Sequence, residues 1–235
     1  MQSFLKKKRE SERRWFIWAY ILFGVCVVLS REIDQYWLHY VSKPLIMLSL
    51  LWMYVQKCQQ KGSRQYRAVL LAILASWLGD ICLMFGGKIW FLSGLSFFLL
   101  AHLGYIYAFF QGIQSENSPS ILKQKPWLLL PFLLYAAALF RLVLPQAGEM
   151  AIPIVVYAIV ILGMALSGLN RKGRVSEESF RPVLLGALLF MLSDSMIAIH
   201  RFAEQMISIP AVQLWIMFTY MSAQYLIITG LLKEE

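Results

Sequence analysis

Eight runs of mostly apolar residues, near 15–30, 39–56, 67–86, 90–111, 126–144, 150–169, 181–202 and 210–231, divide this 235-residue chain. Several approach the roughly twenty residues an α-helix needs to cross a hydrocarbon core of about 30 Å. Between them stand turn-forming or charged breaks: Lys61-Gly62-Ser63-Arg64, Gly86-Gly87-Lys88, Glu116-Asn117-Ser118-Pro119, Gln146-Ala147-Gly148-Glu149 and Arg171-Lys172-Gly173-Arg174. Apolar residues make up 59% of the chain and charged residues 15%, where a soluble domain carries about a quarter charged. Lipid is therefore the natural solvent for most of these side chains. A segment in hydrocarbon must satisfy its own backbone polar groups, and the runs are continuous rather than alternating, which favours helices over a β-barrel. The expected fold is all-α: a polytopic membrane protein of eight transmembrane helices.

The net charge of +9 does not imply a nucleic-acid partner, because the basic residues form short clusters between apolar runs. On alternate sides of the eight runs, 17 of the 22 Lys and Arg fall on the side of the N-terminus. The other five are Arg31, Lys43, Lys88, Arg141 and Arg201. This asymmetry predicts that both termini are cytoplasmic. Trp15, Trp90 and Trp127 suit interfacial anchors. The basic cluster at 6–14 before an apolar stretch imitates a signal peptide, but 15–29 runs into Ser-Arg-Glu with no small-x-small cleavage site. It reads as a retained first helix. Compactness and the lack of long tails suggest a bacterial inner membrane. Cys26, Cys58 and Cys82 are odd in number and lack metal-ligand spacing, so no disulfide framework is expected.

Helices 3 and 7 resemble each other. Arg67-Ala-Val-Leu-Leu-Ala-Ile-Leu-Ala-Ser-Trp-Leu-Gly-Asp80 aligns without gaps on Arg181-Pro-Val-Leu-Leu-Gly-Ala-Leu-Leu-Phe-Met-Leu-Ser-Asp194, with seven of fourteen positions identical. A weaker echo pairs Ala101-His102 with Ala223-Gln224. The chain is thus expected to be a single membrane domain, 1–235, of two pseudo-repeated four-helix halves, about 15–111 and 126–231, in the parallel sense. Each Asp lies thirteen residues beyond its Arg, about 20 Å along a helix axis. Both carboxyls then share one depth, in the outer half of the bundle, and can face one cavity.

An Asp at helix mid-depth costs about 2.5–3.5 kcal/mol, so an intramembrane Asp is a functional candidate by default. Its bland alternative is a helix-holding hydrogen bond, a weaker explanation for two acids at matched depth. His102 can equally be a hydrogen-bonded packing residue. His39 and His200 fall near the outer surface. No ligand pair among these residues has metal-site spacing, so neither metal nor cofactor is expected. Lys43, before Pro44, can snorkel to the headgroups or bind a phosphate or an Asp. Tyr105, Tyr220 and Gln224 suit a wet cavity or bridges between helices. Gly94, Gly104 and Gly186 suit close helix packing.

The chain resembles the lysoplasmalogenase family of membrane hydrolases (YhhN type). The matching motifs are Lys43-Pro44, Gly79-Asp80, Phe91-x-x-Gly94, Ala101-His102-Leu103-x-Tyr105, Gly186-Ala187-x-x-Phe190-x-x-Ser193-Asp194 and Thr219-Tyr220-x-x-Ala223-Gln224, in order from helix 2 to helix 8. Met221 stands where relatives are expected to carry an aromatic residue, a departure that bears on pocket shape. The resemblance implies hydrolysis of the vinyl ether of a lysoplasmalogen, a lysophospholipid drawn from membrane lipids. The products would be a fatty aldehyde and glycerophosphoethanolamine or glycerophosphocholine. It implies Asp80 and Asp194 as catalytic acid and base, and Lys43, His102, Tyr105, Ser193, Tyr220 and Gln224 as substrate-binding. The competing class is a lipid or ion-coupled transporter, for which repeats and paired acids are equally natural; a lipid-binding scaffold is a third. The wholly apolar stretches 69–74 and 183–188 favour a one-sided cavity over a pathway.

Overall fold

A computed structural model describes the backbone of residues 2–32, 35–113 and 119–234, and the side chains of 15–30, 35–113 and 119–234. The basic cluster at 6–14, the Arg31 side chain and the Glu116-Asn117-Ser118 break lie outside the described residues and side chains. Eight long helices account for most of the rest: α1 Gln2–Glu32, α2 Tyr36–Lys57, α3 Arg64–Cys82, α4 Lys88–Gln111, α5 Leu130–Ala147, α6 Ala151–Leu169, α7 Glu177–Phe202 and α8 Val212–Leu231. Among the described residues there is no strand.

Five helical segments are long and apolar enough to cross a membrane: α2, α4, α7, α8 and the 44-residue stretch Pro126–Leu169. At 1.5 Å per residue that stretch would be about 66 Å long, twice a hydrocarbon core, so it must reverse. It does so at Gly148, whose φ of 53° is left-handed and favours a residue without Cβ. The segment therefore supplies α5 and α6. In α1, Trp15–Ser30 is a shorter apolar helix; α3, outside that group, carries two arginines, Gln65 and Asp80.

The helix ends differ from the sequence expectation where local chemistry decides them. Helix α3 starts at Arg64, not at 67, because the Ser63 hydroxyl caps it by accepting from the Tyr66 N–H at 3.0 Å. It stops at Cys82, and 83–84 form a turn. Helix α5 begins after a 3-10 turn, Pro126–Leu129, and carries Pro145 inside its last turns. Helix α7 is capped by Ser176, opens with Glu177 and Glu178, and closes with His200 and Arg201, the charge order its dipole favours.

The most extensively packed pairs are α7 with α8 and α3 with α4. Both depend on glycine. A Cβ on Gly79 would come within 2.7 Å of the Phe98 ring and 3.3 Å of the Gly94 carbonyl oxygen. One on Gly186 would lie 2.8 Å from the Ala223 carbonyl oxygen and 3.0 Å from the Ile227 nitrogen. Small residues thus bring the backbones together, and the Gly79-Asp80, Phe91-x-x-Gly94 and Gly186-Ala187 motifs acquire a physical reason. The halves are not identical: α1 lies along α2, whereas α5 and α6 meet far less. Helix α1 also touches α8, α4 packs on α6, and α5 on α7.

The fully buried side chains include Met47, Leu50, Ile73, Tyr105, Phe109, Phe190 and Ile227, while Trp15, Leu71, Leu133, Ile152, Leu185 and Phe218 face outward. An outward apolar surface is what lipid demands. At the end of the bundle where α2, α4, α6 and α8 finish, a polar knot closes the structure. Buried Arg171 pairs with Glu234 and donates to Ser179 Oγ at 2.9 Å. Ser179 Oγ and Gln65 Nε2 each donate to Glu234 at 2.6 Å. Burial pushes the Arg171 guanidinium down to about 10, which leaves it charged at neutral pH.

Candidate active site

Helical spacing sets up each half of the site. Ser76 and Asp80 are one turn apart on α3, as are Tyr220 and Gln224 on α8, so each pair shares a face. The close approaches at Gly79 and Gly186 bring those faces together. Asp80, only 4% exposed, accepts a 2.7 Å hydrogen bond from the Tyr220 hydroxyl and lies 3.8 Å from Lys43 Nζ. One turn deeper, Gln224 Nε2 donates to Ser76 Oγ at 3.0 Å, and Tyr105 Oη donates to Gln224 Oε1 at 2.5 Å. Every polar side chain in this chain of contacts has a partner, as buried groups require.

Asp194 heads a second group. It accepts a short hydrogen bond from the Tyr157 hydroxyl on α6, and His102 Nε2 on α4 lies 3.3 Å away. His102 Nε2 is also 2.9 Å from Tyr157 Oη. With Tyr157 donating to Asp194, a proton on Nε2 lets His102 donate within the same cluster. Phe190 joins the two groups: its ring packs edge-on against His102 at 4.7 Å and against Tyr220 at 5.4 Å. The residues that hold the two aspartates thus meet on one aromatic ring.

Two cavities lie beside the two groups. One of about 550 Å³ opens at the end of the bundle where α1, α3 and α7 finish, and its polar lining includes His39, Lys43, His200 and Arg201. A smaller one, about 50 Å³, is lined by Asp194, Tyr157, Phe98 and Ile154. Leu83, Phe91 and Ile197 border both. Asp194 therefore faces a cavity directly, and Asp80 reaches the larger one through Lys43.

Of the eight residues singled out from sequence, seven fall in these two networks: Asp80, Lys43, Tyr105, Tyr220 and Gln224 in one, Asp194 and His102 in the other. Ser193 does not. Its hydroxyl donates to the Ile216 carbonyl at 3.1 Å and ties α7 to α8. Met221 turns toward α1, where its Sδ and Cε occupy the space a Cβ on Gly24 would need, 2.4–2.5 Å away, so its identity bears on helix packing and not on the cavity wall. Tyr157 and Ser76 were missed. Ser76 carried a signal in its one-turn spacing from Asp80, but nothing in the apolar run of α6 marked Tyr157. Among the described residues no group of three His, Cys, Asp or Glu side chains could hold a metal ion.

Apolar helices with lipid-facing surfaces, and two carboxylates held by tyrosines among them, define an integral membrane protein with an intramembrane acidic site. Residues 38–231 match the YhhN family, and the chain belongs to that family. The human and pig proteins named lysoplasmalogenase TMEM86B are each 33% identical to it, over 69% and 66% of this chain. A Mycobacterium tuberculosis protein named lysoplasmalogenase is 30% identical over 71% of it. The chain spans about three fifths of the length of these relatives: 62%, 59% and 61% respectively. No solved structure matches it.

Proposed function

We propose that this protein hydrolyses the vinyl ether bond of lysoplasmalogens, releasing a fatty aldehyde and glycerophosphoethanolamine or glycerophosphocholine, with Asp80 and Asp194 as its acid and base. The observation that carries this reading is the pair of carboxylates, each bonded to a tyrosine hydroxyl, Asp194 lining the small cavity and Asp80 beside Lys43, which lines the larger, basic one. One carboxylic acid delivers its proton to the outer alkene carbon, forming a C–H bond and leaving an oxocarbenium ion. Water adds to the cationic carbon and yields a proton to a carboxylate. The hemiacetal C–O bond then breaks as the glycerol oxygen takes up a proton. Paired carboxylates serve glycosidases in a related way. His102 and Tyr157 orient Asp194; Tyr220, Gln224, Tyr105 and Ser76 orient Asp80; Ser193 holds α7 on α8; Lys43 lies between Asp80 and the substrate.

A carrier using the same acids is less well supported. Below Tyr105 and Gln224 an apolar layer of Phe109, Val183, Ala187 and Ile227, each fully buried, separates the site from the Arg171 knot. The matched positions of the aspartates on α3 and α7 support an origin in two parallel four-helix repeats within one membrane domain. The distribution of Lys and Arg supports cytoplasmic termini.

The deciding experiment incubates purified protein with a lysoplasmalogen and with its saturated alkyl analogue. Aldehyde should appear from the first only, because a saturated ether cannot form the cation by protonation. No aldehyde from the vinyl ether would refute the hydrolase reading.

A further inference from the structure

The larger cavity has a charge pattern that the acid pair does not explain. His39 and Lys43 enter it from α2, His200 and Arg201 from α7, and among the described residues no acidic side chain lines it. Two helices distant in sequence thus present cationic or protonatable groups to one space of about 550 Å³, within the usual range for a small-molecule site, about 300–1,000 Å³. These four groups are not equivalent. Lys43 stands 3.8 Å from Asp80, and His200 Nδ1 is 3.2 Å from Glu204. Arg201 instead has its guanidinium carbon 4.0 Å from the centroid of Phe91 and 6.0 Å from that of Phe202. Among the described residues no carboxylate pairs with it.

Stacking on Phe91 orients a planar guanidinium while leaving its N–H edge available to an anion. A fork of this kind matches two phosphate oxygens, which a lysine ammonium does not. Phe91 also borders the small cavity that Asp194 faces, so an anion on Arg201 would be registered against the acid site through one ring.

We propose that Arg201, flanked by His39 and His200, is the phosphate seat of this cavity and selects phosphate-bearing single-chain lipids over neutral ones. The inference rests on the lipid-hydrolase reading for its substrate class, and its test separates the two. Arg201 lies on the exposed last turn of α7, so its replacement leaves the core intact.

The first measurement is binding, by calorimetry in detergent, of two uncleavable ligands: saturated 1-O-alkyl-lysophosphocholine and 1-O-alkylglycerol. The wild-type protein should prefer the phosphate-bearing lipid by at least tenfold. Arg201→Gln should abolish that preference, and Arg201→Lys should restore part of it. A preference undiminished in Arg201→Gln, or none in the wild type, overturns the proposal. Glycerophosphocholine without a chain should compete only weakly; if it binds as tightly as the lipid, the site reads free phosphodiesters and the lipid assignment falls.

The second measurement is turnover. Arg201→Gln should raise KM for lysoplasmalogen at least tenfold with kcat within twofold, and leave kcat/KM for phosphate-free 1-alkenylglycerol unchanged. Equal losses on both substrates overturn the proposal. If the wild type cleaves neither, the hydrolase reading fails by itself, and the binding result still decides the role of Arg201.

Discussion

The Tyr220 hydroxyl donates to the Asp80 carboxylate across 2.7 Å, joining α8 to α3 over 140 positions of sequence. It gives the best-buried acid of the site a fixed orientation. Asp80→Asn and Asp194→Asn, nearly isosteric, should each fold and lose turnover. Tyr220→Phe should lower kcat by about 10- to 100-fold, which corresponds to the 1.5–3 kcal/mol of a hydrogen bond to a charged group. Single-turnover aldehyde release from the three variants measures this, and near-normal activity in any one removes that residue from the mechanism.

Tyr157 and His102 approach Asp194 together, so they should act as a unit. Tyr157→Phe and His102→Gln should each slow turnover about tenfold or more, and the double variant should be little worse than either alone. Fully additive losses in that double-mutant cycle would show that the two side chains act separately.

Gly186 admits the backbone of α8. A methyl group there meets the Ala223 carbonyl oxygen at 2.8 Å, one residue before Gln224. Gly186→Ala should cost about 1–3 kcal/mol in stability through overpacking and should also reduce kcat, because α8 carries Tyr220 and Gln224. Thermal unfolding in detergent and the aldehyde assay read the two effects. A stable variant of normal activity would mean that the helices separate without cost.

The Arg171–Glu234 pair is buried at the end remote from the cavities. Removing one partner of such a pair strands the other, so Glu234→Ala should destabilise the fold by about 3–5 kcal/mol. Well below the unfolding transition its kcat should stay within twofold of wild type. An unchanged melting temperature would show that the knot does not hold these helix ends.

Isotopes test the chemistry. Aldehyde formed in heavy water and trapped at once should carry one deuterium on its α-carbon, visible by mass spectrometry. In oxygen-18 water the released glycerol hydroxyl should remain unlabelled, because water adds at the vinyl carbon. Label in that hydroxyl would mean attack on the other side of the ether oxygen and would end the oxocarbenium mechanism.

The positions of the eight helices were legible in the sequence, because apolar length and turn chemistry are local properties that lipid enforces segment by segment. So were Asp80 and Asp194 as candidates: an acid inside an apolar run stands out against its neighbours, and the shared spacing from Arg67 and Arg181 marks the two as equivalent positions. What each acid touches was not legible. Tyr220 meets Asp80, Tyr157 meets Asp194, and Lys43 meets Asp80 only once eight helices have taken particular rotations about their axes. Those rotations follow from where Gly79, Gly94 and Gly186 allow backbones to approach, a matter of steric fit between segments far apart in the chain. For the same reason Ser193 turned to a carbonyl, Met221 turned to Gly24, and Arg201 came to face the same cavity as His39. Hydropathy selects which residues enter the membrane, whereas side-chain packing between helices decides which of them meet.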